Sequence, residues 1–203
     1  MAEWNWNEWR DRCHALACDN GWHDKPHTDG HLLMLAVTEI AEAVEAFRAP
    51  INTEFPFRPW AEQPAWRRCP YCGCQPRVMP DGSERFTCEQ AIDNGKPCGV
   101  ASELADVVIR LLDLAGLRAV DVSGCTPPDP HPMGSTPAFV ASCWGLVRDT
   151  VLHEAAPHHM WVGWLCSLTV ELANSHGVDL AAAIARKHAY NETRSWRHGG
   201  KSA

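Results

Sequence analysis

Apolar residues recur at helical spacing in six stretches of this chain, and the polar positions between them are not all of one kind. Residues 3–20 place Trp6, Trp9, Cys13, Leu16 and Ala17 on one side of a helix. A loop punctuated by Gly and Pro, GWHDKPHTDG (21–30), leads into HLLMLAVTEIAEAVEAFR (31–48). There Leu33, Val37, Ile40, Val44 and Phe47 recur at i, i+4, i+7, i+11 and i+14 and predict the main core stripe. Met34, Thr38, Ala41, Glu45 and Arg48 fall on the opposite, wet side, while Glu39 and Glu42 share a third strip with Leu32, Leu35 and Ala46. Two carboxylates one turn apart therefore project from a greasy surface.

A second helix, SELADVVIRLLDLAGL (102–117), repeats the arrangement. Its predicted core stripe is Leu104, Val108, Leu111, Leu112 and Ala115, and Glu103 and Asp106 stand at i, i+3. Arg110 and Asp113 continue that face, which leaves a simply solvated strip open there. Further helical patterns span about 138–155 and 158–176, and a last one starts after Gly177 with Asp179 as its N-cap. It runs through AAAIARKHAYNETR into a basic tail, SWRHGGKSA. Residues 49–66 hold four prolines and 121–137 are also proline-rich, so both read as connections.

Buried carboxylates need a cation, a proton or solvent against them, and an i, i+3 pair alone is usually just a wet face. Two such pairs on two helices change the reading. Facing one another, Glu39, Glu42, Glu103 and Asp106 form an all-oxygen cage suited to Mg²⁺ or Mn²⁺. Near the C-terminus Lys187, Asn191 and Arg194 lie at i, i+4 and i+7, with Arg197 and Lys201 beyond. Helix ends collect cations to suit the macrodipole, but beside a metal cage the same groups would hold phosphates.

Residues 66–98 break the helical pattern. Cys69-x2-Cys72 and Cys88-x9-Cys98 have the spacing of a closed tetrahedral Zn²⁺ site, with Cys74 as a spare thiol. Five basic residues against four acidic ones between 67 and 98 are too few for a ribbon that grips nucleic acid. The expected organisation is thus an all-α bundle from 1–48 and 99–203, a zinc-ribbon module at 66–98, and a linker at 49–65.

Composition adds limits. A chain of 203 residues, 45% hydrophobic, suits one domain with a small module, and a formal charge of −7 argues against nonspecific nucleic-acid binding. The start, MAEWNWNEWR, lacks a basic leader and no 18-residue apolar run exists, so a cytoplasmic protein with no membrane span is expected. Ten cysteines without a secretory signal, five of them between 69 and 98, read as reduced thiols and a metal.

Other chemistries are excluded by spacing. In HEAAPHH (153–159) the zincin's second histidine should stand at Pro157, and proline there would disturb the helix. The Glu-x-x-His pairs of a di-iron bundle and the Gly-rich P-loop are both missing. Trp22, just ahead of the first acidic helix, is placed to stack on a base or simply to pack in the core.

Gly21-Trp22, Thr38-Glu39-Ile40-Ala41-Glu42, Glu103-Leu104-Ala105-Asp106 and Lys187…Tyr190-Asn191…Thr193-Arg194…Arg197-His198-Gly199-Gly200-Lys201 occur in that order. In this the chain resembles MazG-type nucleotide pyrophosphohydrolases, particularly phage-type members, over about residues 5–48, 100–118 and 175–201. The resemblance implies a MazG-like helical bundle that cleaves a (d)NTP to the monophosphate and pyrophosphate. Glu39, Glu42, Glu103 and Asp106 would hold Mg²⁺ or Mn²⁺, and Trp22, Lys187, Asn191, Arg194, Arg197 and Lys201 would contact substrate. It also implies a dimer or tetramer and, by analogy with relatives in nucleotide-pool and modified-base pathways, a guanine nucleotide (dGTP or GTP). Three departures stand out: Thr38 replaces the first Glu of the usual EExxE, the cysteine module separates the acidic helices, and a helical hairpin at about 120–160 follows the second. Two rivals stay open. One is a non-catalytic regulator whose ribbon binds a partner; the other is a hydrolase of an alarmone such as ppGpp.

Overall fold

The computed structural model describes residues 4–48, 76–78, 84–86, 97, 99–126, 139–152, 158–176 and 178–196. Six helices follow in order: α1 (Trp6–Asp19), α2 (Asp29–Arg48), α3 (Val100–Leu117), α4 (Phe139–Leu152), α5 (His158–Ser175) and α6 (Leu180–Glu192). Between α2 and α3 lies one antiparallel hairpin, β1 (Pro76–Val78) with β2 (Glu84–Phe86), in which Arg77 pairs with Arg85. Among the described residues the expected all-α architecture holds, this small hairpin apart. Cys69, Cys72, Cys74, Cys88 and Cys98 lie outside the described residues.

Helix α3 is the hub. It packs against α1, α2, α5 and α6, while α4 leans on α2 and α5. Because neighbours cover it on several sides, its apolar residues are buried well beyond a single stripe. Ala101, Leu104, Ala105, Val107, Val108, Leu112, Leu114 and Ala115 are all shut off from solvent. A helix with so wide an apolar surface is stable only in such a position.

Helix α2 is turned relative to its expected face. Its core side consists of Leu32, Leu33, Ala36, Ile40 and Ala43, whereas Val37 and Val44 are half-buried and Phe47 is exposed at the edge. Small side chains at 36 and 43 let α2 lie close to its neighbours, and the bulkier Phe47 moves aside to stack on Phe139 of α4, centroids 4.6 Å apart. The same rotation separates the two glutamates. Glu39 turns inward, while Glu42, about 60° away around the helix, stays exposed.

Side-chain caps fix the starts of α1 and α6. Asp179 accepts the Ala182 amide at 3.0 Å at the head of α6, as its place in the sequence predicts, and Asn5 accepts the Glu8 amide at 3.2 Å for α1. Arg118 at the end of α3 donates two hydrogen bonds to Asp29 at the start of α2, 2.9 and 2.7 Å, fixing the two helices end to end. Among the described residues no helix is long and apolar enough to cross a membrane.

The observed face of α2 makes a stability prediction. Ile40→Ala should cost about 2–5 kcal/mol, and Met34→Ala, at a side chain 58% exposed, less than about 0.5 kcal/mol. Urea unfolding monitored by circular dichroism reads both; equal losses would mean that α2 buries a different face.

Candidate metal centre

The acidic helices do face one another. One carboxylate oxygen each from Glu39 on α2 and Glu103 and Asp106 on α3 lie within 4.8 Å of one another. This follows from the local sequence: Glu103 and Asp106 are one turn apart on the hub helix, and Glu39 is carried inward by the rotation of α2. Glu39 and Glu103 are buried and Asp106 half-buried. Glu42 is not part of this trio. It sits exposed at the rim, near enough for its charge to act on both Glu39 and Glu103.

The cluster's electrostatics are those of crowded acids in a dry place. Burial pushes the Glu103 carboxyl up to about 7; the charges of Asp106, Glu39 and Glu42 add to the rise and Lys187 opposes it. Glu39 is also raised, by burial first and by Asp106 second, with Arg110 pulling the other way. Arg110 reaches from α3 to put its Nε and Nη2 3.3 and 3.2 Å from Glu39 Oε1. Oε2 of Glu103 is buried and takes no hydrogen bond among the described residues. An orphaned carboxylate oxygen among converging acids is a donor set that fits a hard divalent cation.

Lys187 lies inside the cluster rather than along its rim. Its ammonium is 2.6 Å from Asp106 Oδ2 and 4.0 Å from Glu103 Oε2, and it donates to Ser102 Oγ at 2.8 Å. Ser102 in turn donates to the Pro97 carbonyl at 3.0 Å. With 1% of its surface exposed, Lys187 is an internal counter-charge that orients Asp106.

The other expected substrate contacts lie further out. Trp22 is half-buried, with the Arg110 guanidinium 5.9 Å from its ring centroid. The left-handed φ of Gly21, +76°, shapes the turn before it, and a Cβ at Gly21 would come within 2.2 Å of the Trp196 indole. The chain after α6 thus returns against this loop. Asn191 has a buried Oδ1 with no hydrogen-bond partner among the described residues. Arg194 is lowered by burial, and the charges of Asp106 and Glu39 act on it in the opposite sense, so it stands within electrostatic reach of the trio. Arg197 and Lys201 lie outside the described residues, as do the cysteines of the expected zinc site.

Two features escape the sequence reading. Arg110 and Asp113, which read equally well as a solvated strip, are both engaged: Arg110 with Glu39, and buried Asp113 with His14 and His23. The available signal was register, since Asp106, Arg110 and Asp113 at i, i+4 and i+7 share one strip of the most buried helix. Comparison with protein-family profiles, with characterised proteins and with solved structures finds nothing that matches this chain.

Proposed function

We propose that this protein is a metal-dependent nucleoside triphosphate pyrophosphohydrolase, converting a (d)NTP and water to the monophosphate and pyrophosphate. The observation that carries the reading is the convergence of Glu39, Glu103 and Asp106, together with a buried Glu103 oxygen that takes no hydrogen bond among the described residues. The residue pattern shared with MazG-type enzymes supplies the reaction and the leaning toward dGTP or GTP. These three side chains would hold Mg²⁺ or Mn²⁺. When bound, the ion supplies Lewis-acid polarisation of the phosphate and a lower pKa for the attacking water.

The chain's own residues divide the remaining work. Lys187 fixes Asp106 in place, and Arg110 does the same for Glu39. Glu42, exposed at the rim, is the carboxylate with room to take a proton from water. Arg194, within electrostatic reach of the trio, would offer a cation for phosphate, Asn191 an amide and Trp22 a ring face. The exposed apolar face of α4, with Val140, Trp144 and Val151 at i, i+4 and i+11, supports assembly into an oligomer. The cysteine module is proposed to hold one structural Zn²⁺.

A second reading draws on Lys187. Its ammonium already sits against Asp106, as in a cluster that neutralises itself and serves a non-catalytic binding protein. Product analysis by chromatography, with each common NTP and dNTP and either Mg²⁺ or Mn²⁺, separates the two. Monophosphate and pyrophosphate from a guanine nucleotide above the others is the expected result. No turnover of any triphosphate would favour the binding protein.

Glu39→Gln and Asp106→Asn should each abolish turnover with the helical circular dichroism unchanged; activity surviving both changes would remove the metal assignment. Glu103 gives a pH signature. Its folded value of about 7 lies above the ordinary 4.5, so its contribution to stability is complete below 4.5 and is lost as pH rises through about 7. His23 acts in the same sense, since the hydrogen bond it donates to Asp113 raises it above 6.5. The melting temperature of metal-free protein should therefore fall between about pH 5 and pH 8, while Mg²⁺ affinity rises over that range as Glu103 gives up its proton. Glu103→Gln should flatten both trends, and a profile unchanged by it would contradict this account.

A further inference from the structure

At the other end of α3 lies a cluster of different chemistry. Asp113, 8% exposed, takes His14 Nδ1 at 2.9 Å and His23 Nε2 at 2.8 Å on the same carboxylate oxygen. An ionised carboxylate only accepts, so the ring nitrogen facing it carries the proton and the other nitrogen of each neutral ring carries the lone pair. For His14 that lone pair is on Nε2, which faces Cys18 Sγ at 3.7 Å, one turn further along α1. Ligand atoms of His14, Cys18 and His23 lie within 4.8 Å of one another. The site is also built into the packing. A Cβ on Gly116 of α3 would stand 2.4 Å from His14 Cβ, so only glycine admits this histidine beside Asp113.

We propose that His14, Cys18 and His23 bind one borderline-soft divalent ion of the Zn²⁺ type, with Asp113 behind both imidazoles. Two imidazoles and a thiolate select such an ion over Mg²⁺. Ligand atoms around a tetrahedral zinc stand about 3.3–3.6 Å apart, so the His14–Cys18 pair is close to its bound spacing and the third ligand closes in on the ion. Cys18 is exposed, which leaves the fourth position to water. A carboxylate accepting the N–H of a metal-binding imidazole fixes its tautomer and orientation, and Asp113 does so for two. The thiol proton balances the reaction: the S–metal bond forms as the S–H bond breaks, and the proton leaves to solvent. The ion itself draws that proton off as it binds. Once bound, the ion would pin the loop at residue 23 to α1, and with it the neighbouring Trp22.

Cobalt titration of the full-length protein, with excess Mg²⁺ present to fill the carboxylate trio, tests this without any turnover assay. Cys18→Ser, a change at an exposed side chain, should remove one equivalent of bound Co²⁺ and a thiolate-to-cobalt absorption band relative to the unaltered protein. His23→Ala should remove the same equivalent. Asp113→Asn should keep it with an affinity lower by about 10–100-fold. Metal held by the cysteines between 69 and 98 stays constant across all three variants. Equal uptake and equal spectra in the unaltered protein and Cys18→Ser would overturn the proposal and leave a His–Asp–His hydrogen-bond network.

Discussion

Helix α3 is enclosed by four neighbours and still carries three carboxylates, Glu103, Asp106 and Asp113, on or beside one polar strip. Charge in such a place is tolerated only when the surrounding elements bring partners to meet it. The arrangement of the bundle follows from that requirement. Helix α6 contributes Lys187 to Asp106, α1 contributes His14 to Asp113, and the loop between α1 and α2 contributes His23. Helix α2 adds Glu39, a further acid rather than a partner, and α3 supplies Arg110 from its own strip to hold it. The apolar core gives these helices their cohesion, and the partners of the polar strip add to it.

Much of this was legible in the chain because it depends on local periodicity. The six helices lie where apolar spacing puts them, with ends shifted by a few residues; α2 starts at Asp29 rather than 31, and α1 at Trp6 rather than 3. The pairing of the two acidic helices was legible too, from the repeated i, i+3 spacing. What spacing alone missed depends on what lies across from each residue. Val37 and Phe47 satisfy the heptad-like stripe of α2 as well as Ala36 and Ala43 do, but close packing rewards the smaller pair at the interface. Lys187, at i, i+4 with Asn191, reads as one of several cations on an open face, and only the nearness of α3 turns it into a buried counter-charge. His14 and His23 come from different elements, so their common partner on a third is invisible until the chain is folded.

Arg110 joins the two ends of the strip. It holds Glu39 at the oxygen-rich end and lies beside Trp22, whose neighbour in sequence is His23 at the nitrogen- and sulfur-bearing end. One aromatic ring and one guanidinium thus stand between the 20–28 loop and the carboxylate trio. The loop is anchored on its other side by the close approach of Trp196 to Gly21, so the segment following α6 is part of the same assembly.

The two ends differ in the kind of cation they suit, and the difference comes from which atoms each presents. At the first end all the donors are carboxylate oxygens; burial first and then the neighbouring acids lift Glu103 to about 7, and an ion there would relieve the mutual repulsion. At the second end a single carboxylate is already met by two imidazole N–H groups, so repulsion is absent and selectivity rests on nitrogen and sulfur. Lys187 sharpens the contrast. Its ammonium stands among the oxygens as a fixed positive charge, so a second cation enters that end only if the remaining negative charge outweighs Lys187 and Arg110 together. Glu42 at the rim, unneeded for packing because it is exposed, adds a negative charge that would favour such an ion.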